Sequence, residues 1–331
     1  MTGAQDRAAG ALHGLAIGDA LGMPTESLPR WQVVARYGPL LGWFEPGAAD
    51  QPLAPGRLAG AVTDDTEQAL LLARLLIEGG GRIDAAEFAE QLLSWEESMR
   101  ARGSLSLLGP STKRALAALL AGADLAETGR YGSTNGAAMR ITPVGVATPG
   151  TDPGRLVDQV VEASRVTHHT GVALAGAAAV AAAVSAGVAG AMVPAATEAA
   201  ITAASLAGGR GHWVAAADVA ARIRWAAGLT AGLAPEAVLD IVYTLVGTSL
   251  ASQESVPAAF GILAAAPDDP WLVCRMAASV GGDTDTIAAM AGAVAGACHG
   301  AAAFPAAARR TVAEVNGLRL DEVAADLLAL R

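Results

Sequence analysis

The sequence predicts an all-α fold in one domain, on three observations. Alanine and leucine dominate a chain that is only 4% aromatic, which suits helices packed through small residues better than a β-sandwich. Apolar residues recur at helical spacing along most of the 331 residues. No hairpin turn with alternating flanks and no strand–helix–strand rhythm is present. A chain of this length can bury a large core, and no Pro/Gly/Ser-rich linker divides it, so one domain over residues 1–331 is expected.

The first helix is expected over residues 6–18, leading into a Gly/Pro-rich loop that holds Gly22, Pro24, Pro29 and Gly38. An irregular stretch, 43–58, follows. Residues 63–78 predict a strong helix, because Thr63 is a good N-cap, acids fill the first turn, and Leu70, Leu71, Ala73, Arg74 and Leu75 follow. Further helices are expected over 85–99, 111–121, 153–165, 171–191 and 195–207. Others are expected over 213–227, 235–248, 257–266, 271–280 and 286–299, before a short C-terminal helix. Residues 170–197 carry no charge and are long enough to span a bilayer. Half of 172–193 is alanine, however, Pro194 closes the run, and no basic cluster or aromatic belt flanks it, so a buried central helix is expected. Gly292, Gly296 and Gly300 lie four apart on one helix face, where another backbone should pack closely.

Charge narrows the function classes. The net charge is -10, with no basic stripe to offset it, so no nucleic-acid footprint is expected. Lys113 is the only lysine and does not sit in a Walker A loop, so phosphate contacts are expected from arginine, backbone amides or metal ions. Cys274 and Cys298 form no CxxC pair and read as buried thiols. The polar first residues contain no signal-peptide core, which makes the cytoplasm the expected location and a membrane partner unexpected.

Four clusters carry candidate chemistry. They are Gly18-Asp19-Ala20-Leu21-Gly22-Met23-Pro24-Thr25-Glu26, Thr63-Asp64-Asp65-Thr66, Gly132-Ser133-Thr134-Asn135-Gly136 running on to Met139 and Arg140, and Gly281-Gly282-Asp283-Thr284-Asp285-Thr286. Paired acids at a helix start are ordinarily dipole-complementing caps, and Asp64 and Asp65 fit that description. Asp283 and Asp285 converge if the double glycine lets the chain turn sharply before a helix. Asp and Thr oxygens are hard ligands of the kind Mg²⁺, Mn²⁺ or Ca²⁺ prefer, and there is no Cys/His set for zinc. If Glu26, Asp64, Asp65, Asp283 and Asp285 share one cleft, each close pair repels by roughly 4 kcal/mol at an effective dielectric near 20. Two divalent ions would then offset four of the five charges. The 132–136 loop offers amides and short hydroxyls suited to phosphate or ribose oxygens, or it is an ordinary surface turn. His168 and His169 are adjacent, so at most one points into a given site; either also reads as a hydrogen-bonded structural histidine.

In order and in completeness the four clusters resemble the ADP-ribosylglycohydrolase family, which includes dinitrogenase reductase-activating glycohydrolases and ADP-ribosyl-acceptor hydrolases. The likeness runs from Ala11 to about Ala302. It includes Thr167-His168, Ser255-Val256-Pro257 with Ala258-Ala259, and the glycines of 292–300. The resemblance implies a single orthogonal multi-helix bundle with a central dinuclear metal cleft holding two Mg²⁺ or Mn²⁺ ions. Thr63, Asp64, Asp65, Asp283, Asp285 and Thr286 would form the metal shell, with Glu26 on a mobile flap above it. Gly132, Ser133, Thr134, Asn135, Gly136, Met139 and His168 would contact substrate. Glu26 and Asp65 are the implied catalytic acids, and Glu96 or Glu97 is an alternative proton carrier. The implied reaction is hydrolysis at the distal ribose, releasing ADP-ribose from an ADP-ribosylated protein or small molecule. Hydrolysis of another ribosyl or nucleoside-type substrate, or non-catalytic ADP-ribose binding, are the competing readings.

Overall fold

The computed structural model describes residues 3–104 and 108–331. Among these residues there are eighteen α-helices, and the only β-type pairings are three isolated bridges. The all-α expectation holds, and one apolar core runs from Ala8 to Leu327.

Two helices at opposite ends of the sequence form the spine. Gly3–Gly22 runs antiparallel to Thr284–His299, and both are buried over most of their length. Their contact is made by glycines at matching intervals. A Cβ at Gly10, Gly14, Gly18 or Gly22 would collide with the backbone of Gly296, Gly292, Ala288 or Asp285 respectively, and one at Gly292 or Gly296 would strike Gly14 or Gly10. The close approach expected at Gly292 and Gly296 is therefore real, and its partner is the first helix. Gly14→Ala should cost about 1–3 kcal/mol through overpacking, because both colliding groups are backbone and neither can rotate away. Denaturant unfolding checks this; an unchanged midpoint would mean that the two helices slide apart freely.

Gly171–Val188 is the buried central helix, with 94% of its length inside the molecule. Thr170 caps it, and Thr170 Oγ1 also donates to Gly132 O at 2.6 Å. Cys274 and Cys298 are both buried free thiols.

Several helix limits differ from the sequence expectation, each for a local reason. The segment expected to be helical from 213 starts only at Val219, where Asp218 caps the chain by accepting from Ala221 N at 2.7 Å. Trp213 precedes that helix, exposed. The helix expected from Pro257 begins at Ser252 and carries Pro257 inside it, where the missing N–H forfeits one intrahelical bond, to Gln253 O. Pro235–Ile241 passes into a π-helical stretch, Val242–Val246, that ends on left-handed Gly247. Short helices at Arg30–Tyr37, Gly136–Arg140 and Thr142–Ala147 lie where none was expected.

Candidate active site

Residues 281–286 are built as the double glycine suggests. Gly281 and Gly282 have φ of 87° and 83°, and side chains there would run into Arg30 and Thr248. The turn delivers Asp283 just before the spine helix and Asp285 inside its first turn. The Glu26 loop is stitched to the same glycines. Ser27 N donates to Gly282 O at 2.8 Å, and Gly282 N donates to Leu28 O at 2.9 Å. Gln51 Nε2 donates to Glu26 O at 3.1 Å. Ser27 itself sits in the left-handed region, at φ 61°. Ligand oxygens of Glu26, Asp283 and Asp285 lie within 4.8 Å of one another.

The Asp64–Glu78 helix supplies the facing acids. Its N-cap is Thr63, but the stronger cap comes from the first helix. Buried Asp19 accepts from Thr63 N at 3.0 Å, from Thr66 N at 3.1 Å and from Thr66 Oγ1 at 2.6 Å. Asp19 thus fixes the start of this helix against the spine, a role not foreseen for it. Asp65 Oδ2 has only long contacts, 3.4 Å each, to the Thr63 and Thr286 hydroxyls. Asp64 Oδ2 accepts from Gln68 Nε2 at 2.8 Å. Five of the six proposed shell residues, Asp64, Asp65, Asp283, Asp285 and Thr286, thereby line one end of a cavity, and the Thr63 hydroxyl stands beside Asp65.

The carboxyls feel one another. Burial pushes Asp65 and Asp285 well above the usual carboxylate range, and the surrounding acids push them further. Glu26 is raised first by burial and then by Asp283 and Asp64. Burial takes Asp283 up to about 6, although Asn135 Nδ2, donating to Asp283 Oδ2 at 2.5 Å, works against the shift. Asp65 Oδ1, Asp285 Oδ1 and Glu26 Oε2 are buried with no hydrogen-bond partner among the described residues. Buried carboxylate oxygens are ordinarily satisfied. Glu26 and Asp285, each with an orphaned oxygen, are grouped with Asp283 as hard donors that fit a divalent cation.

The cavity measures about 560 Å³. Glu26, Asp64, Asp65, Asp283, Asp285 and Thr286 line one end; Thr134, Asn135, Gly136 and Met139 line a wall. Asn135 anchors that wall, donating from Nδ2 to Ser255 Oγ at 2.9 Å and from its amide to Leu250 O at 2.9 Å. Gly132 and Ser133 stand behind it: Gly132 N donates to Gly129 O, and Ser133 O accepts from Ser252. Two of the amides expected to face a phosphate, those of Gly132 and Asn135, are therefore engaged within the protein. Gly132 instead makes room for the backbone of Thr167 and His168, and Gly136 for the His168 ring, which a Cβ at each would strike. His168 does not line the cavity. It lies buried behind Thr134, whose Oγ1 is 2.9 Å from His168 Nε2.

Sequence reasoning missed part of the lining. Gly109, Pro110, Thr112 and Lys113, at the start of the Pro110–Leu120 helix, line the cavity, as do Thr248, Ser249 and Leu250. The sole lysine, set aside as a source of phosphate contacts, is thus at the site. Glu96, 3.8 Å from Lys113 Nζ, lies behind it, and neither Glu96 nor Glu97 lines the cavity.

Fold and site together define an all-helical protein with an acidic cleft of hard oxygen donors facing a cavity of small-ligand size. The chain belongs to the ADP-ribosylglycohydrolase family, which it matches over residues 1–331. It is 36% identical over 327 residues to the uncharacterized protein YegU of Escherichia coli K12, covering 98% of this chain and 97% of that one. Over 172 residues it is 34% identical to the ADP-ribosyl-(dinitrogen reductase) glycohydrolase of Rhodospirillum rubrum, covering 51% of this chain and 54% of that one. A solved structure described as an ADP-ribosylglycohydrolase-related protein complex superposes with a TM-score of 0.73 at 27% identity, covering 100% of this chain and 99% of that one.

Proposed function

We propose that this protein is a metal-dependent hydrolase that releases ADP-ribose from an acceptor, a protein side chain or a small molecule, by cleavage at the distal ribose. The observation that carries the reading is the convergence of Glu26, Asp283 and Asp285, with orphaned oxygens, at one end of a cavity large enough for a nucleotide. Family membership supports the bond type, and the glycohydrolase name of the Rhodospirillum relative supports a protein-borne substrate.

Asp64, Asp65, Asp283 and Asp285, with the Thr63 and Thr286 hydroxyls, would hold two Mg²⁺ or Mn²⁺ ions. Such ions, when bound, orient ribose hydroxyls and lower the pKa of a coordinated water. The chain's own residues supply the rest. Glu26 moves the proton between water and leaving group; burial, then the charges of Asp283 and Asp64, raise its carboxyl well above the usual carboxylate range and favour its holding a proton. Asn135 keeps Asp283 oriented. Lys113 and Thr134 hold the diphosphate at the cavity's less acidic walls.

The test is calorimetric titration with ADP-ribose, AMP and ribose-5-phosphate, with and without Mg²⁺ or Mn²⁺. ADP-ribose should bind tightest and only with metal. Metal-independent binding no tighter than AMP would instead favour a different ribosyl or nucleoside-type substrate. Mass spectrometry of products from a panel of ADP-ribosylated acceptors then identifies the leaving group; tight ADP-ribose binding without product would mark a non-catalytic binder. Lys113→Ala should weaken ADP-ribose and AMP alike, by about tenfold, as expected for loss of a charge-assisted contact. Unchanged affinities would place the diphosphate elsewhere.

A further inference from the structure

Behind the cavity wall runs a buried polar chain that the proposed chemistry does not use. Arg140 is 1% exposed, stacks over the Phe88 ring at 4.9 Å and, among the described residues, has no carboxylate within ion-pair distance. Its Nη1 donates to Gln68 Oε1 at 3.1 Å, and Gln68 in turn donates to Asp64. Its Nη2 donates to Thr167 Oγ1 at 2.6 Å. Thr167 Oγ1 is also 2.8 Å from His168 Nδ1, and His168 Nε2 is 2.9 Å from Thr134 Oγ1. Thr167 and His168 are both buried, and Thr134 lines the cavity. One row of hydrogen bonds thus joins the acidic end of the cleft to the substrate wall.

We infer that Arg140, acting through Thr167, fixes His168 as its Nε2–H tautomer and so leaves the Thr134 hydroxyl as a donor toward the cavity. A guanidinium has only donors, so the Thr167 oxygen accepts from Arg140. Among the described residues His168 Nδ1 is the remaining partner of that hydroxyl, so the Thr167 hydrogen is given to Nδ1. Burial and the Arg140 charge pull the imidazole well below its usual range, so the ring is neutral and its single proton sits on Nε2. Nε2–H then donates to Thr134 Oγ1, whose own hydrogen is free for a ligand. The other tautomer would aim two donors at Thr167, leave a buried hydroxyl hydrogen without an acceptor, and present Thr134 to the cavity as an acceptor. Under the function proposed above, the oxygen that Thr134 meets belongs to the diphosphate or a ribose of ADP-ribose, an acceptor-rich ligand. Arg140 and Thr167 are positioning residues that act through His168.

The experiment is long-range ¹H–¹⁵N correlation on the full-length protein with ¹⁵N-histidine at pH 8, with His168 assigned by its loss in His168→Gln, alongside ADP-ribose calorimetry with Mg²⁺. Wild type should show a protonated Nε2 and a bare Nδ1. Thr167→Asp places an acceptor-only group between Arg140 and the ring, so it should reverse the tautomer and weaken ADP-ribose binding about tenfold, with Mg²⁺ affinity unchanged. Thr167→Ser should behave as wild type. In a Thr134→Val background the Thr167→Asp penalty should vanish, because the hydroxyl through which it acts is gone. A bare Nε2 in wild type overturns the inference, and this holds even if Thr167→Asp does not fold. A penalty that persists without the Thr134 hydroxyl also overturns it, as plain electrostatics. If ADP-ribose binds no form of the protein, the proposed function fails, while the wild-type tautomer still decides the inference.

Discussion

Glu26→Gln should lower kcat by about 10²–10⁴-fold at saturating Mg²⁺ while ADP-ribose affinity changes by less than about threefold. The amide keeps the size of the side chain and its place beside Asp283 and Asp285, but it can no longer carry a proton. The grouping of Glu26 oxygens with those of Asp283 and Asp285 makes a second role testable in the same variant. If Glu26 is chiefly a ligand, metal affinity falls in step with rate, and excess metal restores kcat. A proton carrier is not rescued that way. Metal titration of the rate therefore separates the two roles, and full rescue would remove Glu26 as the acid–base group.

Asp285→Asn should have opposite effects on metal-free and metal-loaded protein. Asp285, Asp65, Glu26 and Asp283 all have folded-state pKa values above their unfolded ones, for burial first. For such groups stability is fully present below the unfolded value, near 4, and is lost as pH rises through the folded value. Metal-free wild type should therefore lose stability as pH rises above about 4, the Asp283 contribution being lost by about 6. Asp285→Asn removes one crowded charge, so the metal-free variant should melt higher than wild type at pH 7 and show a shallower pH dependence. Mg²⁺ stabilises wild type by binding the folded state alone, and in the variant that gain should largely disappear along with activity. Melting curves at pH 5 and 7 with and without Mg²⁺ decide it. An apo variant less stable than wild type at pH 7 would mean that the acids do not repel across the cleft as described.

Much of this site is legible in the sequence, because its parts are local. A double glycine before Asp283 announces a left-handed turn, and acids after Thr63 announce a helix start; both are where they should be. What the sequence hides is pairing across distance. Asp19 reads as one acid in a glycine-rich run, yet its function is to cap a helix 44 residues on, which no local pattern encodes. The glycines at 10, 14, 18 and 22 have the same four-residue interval as those near 292, but only packing reveals that the two rows meet. Lys113 carries no motif at all and reaches the cavity because the Pro110–Leu120 helix is aimed there. His168 shows the converse. Its motif is plain, but the side chain lies one layer behind the wall, a depth that sequence spacing does not report.

The pairing of the first helix with Thr284–His299 also sets a timetable for biosynthesis. Thr284 Oγ1 donates to Gly22 O across 262 residues of chain. At roughly 5–20 residues per second of translation, the first helix emerges from the ribosome some 13–50 s before its partner exists. For that interval its glycine-lined face has no native surface to cover it, and Asp285 is absent from the acids that Glu26 must join. Chains released early carry the Thr63–Thr66 acids without their counterparts and should bind no metal. Demand for a holding chaperone should accordingly fall only once synthesis has passed the spine helix.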